Sequence, residues 1–101
     1  MSETWYCLTL ILTPNLEEQV LDLLLIAPET SGFTSMPVFG HGANPAGLST
    51  ADQVLGHTSQ KQVQIVLAQD EADALIAKLR QRFSGTGIFF WLTAVTAKGE
   101  I

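Results

Sequence analysis

The chain has 101 residues, 47% of them apolar and 15% charged, with ten acidic residues against five basic ones and a formal charge of -5. That length holds one domain and not two, since a chain of this size buries roughly 65% of its unfolded surface, and the apolar fraction excludes disorder while hinting that another copy of the chain covers some of it. The charge has the wrong sign for generic binding to a phosphate backbone, so nucleic acid is not an expected partner and cations suit the chain better.

The first element expected in the chain is a strand, Thr4 to Thr13 ("TWYCLTLILT"), which is short, rich in β-formers and stopped by Pro14. Its two faces are Trp5, Cys7, Thr9, Ile11 and Tyr6, Leu8, Leu10, Leu12, so neither is polar and both ask for cover. Glu3 before this run, the lack of Lys or Arg ahead of it and the lack of a small-residue cleavage site after it speak against a signal peptide. No other apolar run approaches the ~20 residues that span a bilayer. With Cys7 as the only cysteine, the expectation is a soluble cytoplasmic protein that is not inserted in a membrane.

A helix follows, with Leu16, Val20, Leu23, Leu24 and Ala27 at helical spacing, Glu17 and Glu18 in its first turn, and Pro28 as its stop. "FTSMPVFGHG" reads as a second strand, and Pro37 inside it, unable to donate a ladder hydrogen bond, marks an edge or a bulge. Residues 43–58 have no apolar rhythm and carry Pro45, Gly47 and Gly56, which predicts a long loop of the kind that is usually functional. "KQVQIVLAQ" alternates as a third strand. A second helix is expected with Asp70 as N-cap and Ala72, Leu75, Ile76, Leu79 and Phe83 as its stripe, ended by Gly85 and Gly87. "IFFWLTAVTA" is the fourth strand, again apolar on both faces.

The order β-α-β-loop-β-α-β predicts an α+β, ferredoxin-like βαββαβ domain over residues 1–101, with a four-stranded antiparallel sheet and both helices on one face. The other face then carries one of the two apolar sets of the first strand, beside Phe89 and Trp91 or their neighbours, and such a patch asks for sheet-to-sheet contact in an oligomer.

Four stretches carry a resemblance: "LTPNLEEQVLDLL", "FGHG", "VQIVLAQDEADALIAKL" and "GTGIFFWLTAVTAKGE". Together they resemble the PII signalling family, and specifically the small PII-like proteins encoded beside heavy-metal efflux pumps. The third, with strand, acidic helix start and helix in register, is the most specific. The resemblance implies a homotrimer, a T-loop over residues 43–58 that touches a protein partner such as a membrane transporter, and a ligand cleft between subunits. It places Gly40, His41, Gly42, Gly87 and Lys98 at that cleft and at the base of the loop.

Nucleotide-binding members of the family meet phosphate there with basic residues, because buried phosphate charge needs cationic or N–H partners. Here Ala43-Asn44-Pro45 follows Gly42, Ile88-Phe89 follows Gly87, and Val95 and Ala97 stand where arginines are expected. Only Lys98 is left nearby. ATP and ADP are therefore not expected to bind in the family's usual way.

The soft and borderline ligands are His41, His57, Cys7 and Met36. If the loop leaves and returns as a hairpin, its base brings residue 41 near residues 57 and 58, and Asp52 supplies a third ligand; such a set suits Cu(II), Zn(II) or Ni(II). The plainer alternative is two solvated loop histidines, since no compact motif such as C-x-x-C or H-x-x-x-H is present. Cys7 reads as a small hydrophobe, and Lys78, Arg80 and Arg82 as a solvated helix face. No nucleophile and base share a recognisable spacing, so an enzyme is not expected. The functional expectation is a PII-like regulatory and binding protein, with a transition-metal-binding accessory or sensor for efflux as the alternative.

Overall fold

A computed structural model describes residues 4–41 and 58–101. Strand β1 (Trp5–Leu12) is followed by a 3-10 turn at Pro14–Leu16 and helix α1 (Glu17–Ile26); β2 (Thr34–Gly40), β3 (Thr58–Ala68), helix α2 (Gln69–Phe83) and β4 (Phe89–Val95) complete the chain. The sheet order is β2-β3-β1-β4 and each neighbouring pair is antiparallel. This is the ferredoxin-like arrangement expected from the sequence. β2 is an edge strand, as Pro37 requires.

The leucines of β1 decide which of its faces is covered. Leu8, Leu10 and Leu12 are at most 1% exposed and join Val63, Ile65 and Leu67 of β3 beneath Val20 and Leu24 of α1 and Ala72, Leu75, Leu79 and Phe83 of α2. Both helix stripes therefore match their sequence periodicity, with Leu16, Leu23 and Ile76 packed at the margin. Every second residue of a strand points the other way, so Trp5, Cys7, Thr9 and Ile11 lie on the face away from the helices.

Two boundaries differ from the sequence reading. β3 begins at Thr58, three residues before Lys61, because Thr58, Ser59 and Gln60 pair with Gly40, Phe39 and Val38. Ladder hydrogen bonds outweigh the poor strand propensity of that polar stretch. At the start of α2 the cap residue is Ala68 rather than Asp70; the Glu71 carboxylate accepts the Ala68 N–H at 3.0 Å, and Asp70 lies inside the first turn.

α2 is also tied to the turn after α1. Lys78 Nζ donates to both carboxylate oxygens of Glu29 at 2.8 Å, and this hydrogen bond, helped by Glu29's own backbone, holds the carboxyl below the ordinary glutamate range against a smaller opposing effect of burial. A depressed folded value contributes stability at neutral pH that is lost as pH falls through that value. Glu29→Gln is therefore expected to lower the thermal midpoint at pH 7, with the gap to wild type shrinking as pH falls below the ordinary glutamate range, as thermal denaturation across that range will show.

Candidate functional site

One end of the sheet carries Gly40, His41 and Gly87 of the expected site. Gly40 pairs with Thr58 at the last rung between β2 and β3, Leu12 pairs with Lys61, and Ile11 pairs with Phe89 just after the Gly85–Gly87 turn. His41 follows directly on Gly40 and is exposed. The amide end of Gln60 lies in the space that a Cβ at Gly40 would take, and a substitution there would move that side chain aside. Gly85 and Gly87 have φ of 80° and 86°, which side-chain-bearing residues rarely adopt, and Thr86 closes the turn by donating from its N–H and Oγ1 to Phe83 O at 3.2 and 2.6 Å.

Although Gly40 and Gly87 share an end, they belong to opposite edges of the four-stranded sheet, about 14 Å apart at the usual strand spacing. Lys98 lies at the other end. It follows β4, and its Nζ stands 4.0 Å from the ring centroid of Trp5, roughly 20 Å along β1 from Ile11. A single chain thus brings Gly40 and His41 together, holds Gly87 across the sheet, and does not bring Lys98 to them. Gly42, Asp52 and His57 lie outside the described residues. Among the described residues no group of three or more His, Cys, Asp and Glu could hold a metal ion.

Charge at this end is sparse. Lys61 is the cation of the ladder there, and it is engaged with Glu17 at 3.7 Å. After Gly87 the chain continues with Ile88, half-buried against the core, and Phe89, exposed.

The face away from the helices is the second feature. Register places Met36 of β2, Gln62, Gln64 and Val66 of β3, Cys7 and Thr9 of β1, and Phe89 and Trp91 of β4 on it. Met36, Val66, Phe89 and Trp91 are 52%, 39%, 64% and 41% exposed, and the Phe89 and Trp91 rings stand 6.0 Å apart. A polar lane crosses this apolar field: Gln64 Nε2 donates to Thr9 Oγ1 at 3.3 Å, and Gln62 Nε2 lies 3.7 Å from Met36 Sδ. Thr9, at 1% exposure, is covered by its neighbours on that face. Cys7 is half-buried there rather than enclosed in the core. The sequence signalled the aromatic residues; it did not signal the glutamine lane, whose members read only as polar positions of an alternating strand.

A βαββαβ sheet whose long intervening segment falls between its second and third strands, with strand-end glycines at one end, makes this a protein of PII-like fold. A family model described as "Protein of unknown function (DUF3240)" matches residues 1–101, and the chain belongs to that family. No curated protein matches its sequence. Among solved structures it is similar to a DUF3240 family protein from Shewanella baltica, with a TM-score of 0.80 and 19% identity over 100% of this chain and 99% of that one. It is also similar to CPII, a nitrogen regulatory PII-like protein from Thiomonas intermedia bound to ADP, AMP and bicarbonate, with a TM-score of 0.72 and 16% identity over 97% of each chain. CutA from Synechococcus elongatus matches with a TM-score of 0.70 and 11% identity over 93% of this chain and 79% of that one. At these identities the likeness is one of fold. No helix among the described residues is long and apolar enough to cross a membrane.

Proposed function

We propose that this chain is a regulatory and binding protein of the cytoplasm rather than an enzyme, a PII-like homotrimer whose effector cleft lies between subunits. Residues 43–58 serve as its T-loop toward a protein partner such as a membrane transporter. The observation that carries this reading is the division of Gly40 and His41 from Gly87: they stand at one end of the sheet on opposite edges, so a cleft using both is completed by a neighbouring subunit. The apolar outer face supplies a surface for that neighbour.

The effector is not ATP or ADP held in the family's usual way. The similarity to CPII extends to its fold, but the cations that would face phosphate are replaced by Ile88, Phe89, Val95 and Ala97, and Lys61 already answers Glu17. A phosphate chain of charge near -4 in an acidic protein then lacks compensation.

One observation favours a transition metal as the second reading. Gly40, directly before His41, is the register partner of Thr58, directly after His57. The two histidines are thus sequence neighbours of residues that share one rung. Asp52 would add an oxygen ligand, and the set suits Cu(II), Zn(II) or Ni(II).

One calorimetric series tests both readings. ATP is expected to show no micromolar binding to wild type, and a micromolar dissociation constant would overturn the assignment of the cleft. Cu(II), Zn(II) and Ni(II) are titrated into wild type and His41→Ala/His57→Ala; a loss of about tenfold or more in affinity supports the metal reading, and equal weak binding removes it.

A further inference from the structure

The helix-covered side of the sheet is not filled to its edge. α2 lies over β1 and β3, while β4 is the outermost strand, and its inward residues Phe90 and Leu92 are only partly covered. Between them runs a seam with a cavity of about 130 Å³. Leu10 forms its floor; Ile76, Leu79 and Phe83 form its α2 wall; Ile88 and Phe90 form its β4 wall.

The Ser84–Gly87 turn closes one end of the cavity, and a Cβ at Gly85 or Gly87 would meet nothing within 4 Å. The adjoining core contains leucines at 0–1% exposure. The space is an open-mouthed hollow large enough for a small aromatic ring, set beside a closely packed core.

Arg80 supplies the polar end. It lines the same cavity, its guanidinium stands 5.5 Å from the Phe90 ring centroid, and among the described residues it makes no ion pair. Stacking on a ring occupies a guanidinium's face and leaves its N–H edge for a bidentate carboxylate. The nearest acid along the seam is Asp73, two helical turns earlier on α2, where the groove continues past Ile76 and Ala77. An apolar hollow with a cation at its mouth is complementary to a short apolar acid.

We infer that the seam between α2 and β4 binds a small aromatic or branched-chain monocarboxylate, its apolar end against Leu10, Leu79 and Phe90 and its carboxylate on Arg80. This site is built within one chain, on the opposite side of the sheet from the face assigned to assembly, and shares only Gly87 with the residues assigned to the inter-subunit cleft. It touches the Gly85–Gly87 turn at the sheet end that carries Gly40 and Thr58, a position from which an effector can act on the same region.

Benzoate is the probe, with its neutral isostere benzamide and the cation benzylamine as comparisons, followed by amide chemical-shift titration of the intact chain. Benzoate is expected to saturate in the submillimolar to low millimolar range, with its largest shifts between Ile76 and Phe90. Benzamide, or benzoate on Arg80→Met, is expected to bind at least about tenfold more weakly, since charge-assisted hydrogen bonds are lost. Ile76→Trp, which fills the chamber, is expected to abolish benzoate shifts while the far-ultraviolet circular dichroism is kept; if it does not fold, Arg80→Met and the benzamide comparison decide alone. The proposal is overturned by equal affinity for benzoate and benzamide, by unchanged affinity in Arg80→Met, or by shifts centred elsewhere. It is equally overturned if no saturable shift appears up to about 10 mM, the result expected if a second copy fills the seam.

Discussion

Trp91→Glu is expected to convert the proposed trimer into monomers at micromolar concentration while leaving the subunit folded. Trp91 is 41% exposed, lies on the face away from both helices, and contributes nothing to the cluster formed by Leu8, Leu10 and their partners. Its neighbours there are Phe89 at 6.0 Å and, across the strands, Thr9 and Gln64. None of these is a cation. A carboxylate brought into that field by a second sheet would be desolvated without an opposite charge, at an effective cost of several kcal/mol, and each 1.4 kcal/mol weakens association about tenfold. In the isolated chain the same carboxylate stays in water and costs little. Gln19→Glu on the exposed side of α1 makes the same change of charge and is expected to leave assembly intact. Sedimentation velocity separates the outcomes. Unchanged sedimentation of Trp91→Glu would remove the sheet face as the contact, and a wild type that sediments as a monomer would remove the trimer.

The sheet could be read from the chain because its signals are local and agree with one another. Pro14 and Pro28 bound the first strand and helix, Pro37 sends the second strand to an edge, and the leucine spacings of both helices match what they bury. The choice between the two faces of β1 was open in the sequence, since Trp5, Cys7, Thr9 and Ile11 are hardly more polar than Tyr6, Leu8, Leu10 and Leu12. It is decided by register: Leu8 and Leu10 stand opposite Ile65 and Val63, whereas Cys7 and Thr9 stand opposite Val66 and Gln64. Register is a non-local property, and so is the early start of β3, where Ser59 and Gln60 become strand only because Phe39 and Val38 lie beside them.

The site was legible to a lesser degree, for a related reason. Glycines and histidines are visible as letters, but their meeting depends on which edges the strands occupy. Gly40 and Gly87 share an end without sharing an edge, and Lys98, close to Gly87 in the chain, is carried to the far end by the length of β4. Arg80 shows the opposite case. Within a run of Lys78, Arg80 and Arg82 it reads as solvated helix surface, and its exposure agrees. Its place at the mouth of a cavity follows from the turn returning β4 beneath it, which no spacing within α2 could indicate.

Leu8→Ala and Cys7→Ala exchange adjacent residues on opposite faces of β1, and the two substitutions are expected to fail in different ways. Leu8 is 0% exposed, paired with Ile65 and Leu92 and enclosed by the helices, so its truncation leaves a void that the surrounding structure only partly closes. The expected loss is about 2–5 kcal/mol, a large share of the 5–15 kcal/mol typical of a whole domain, and corresponds to a fall in thermal midpoint on the order of 10–30 °C. That loss is internal to the chain and is expected to persist at every protein concentration. Cys7 is half-buried on the outer face, and in a monomeric background such as Trp91→Glu its truncation is expected to cost below about 1 kcal/mol. In the wild-type background, where the outer face is proposed to be covered by association, the cost of Cys7→Ala is expected to grow with protein concentration over the range in which wild type associates, because association stabilises the folded chain by mass action. Denaturation at two concentrations in both backgrounds distinguishes the cases. A concentration-dependent loss in Leu8→Ala, or a large loss in Cys7→Ala within the monomeric background, would mean that the two faces of β1 have been assigned the wrong way round.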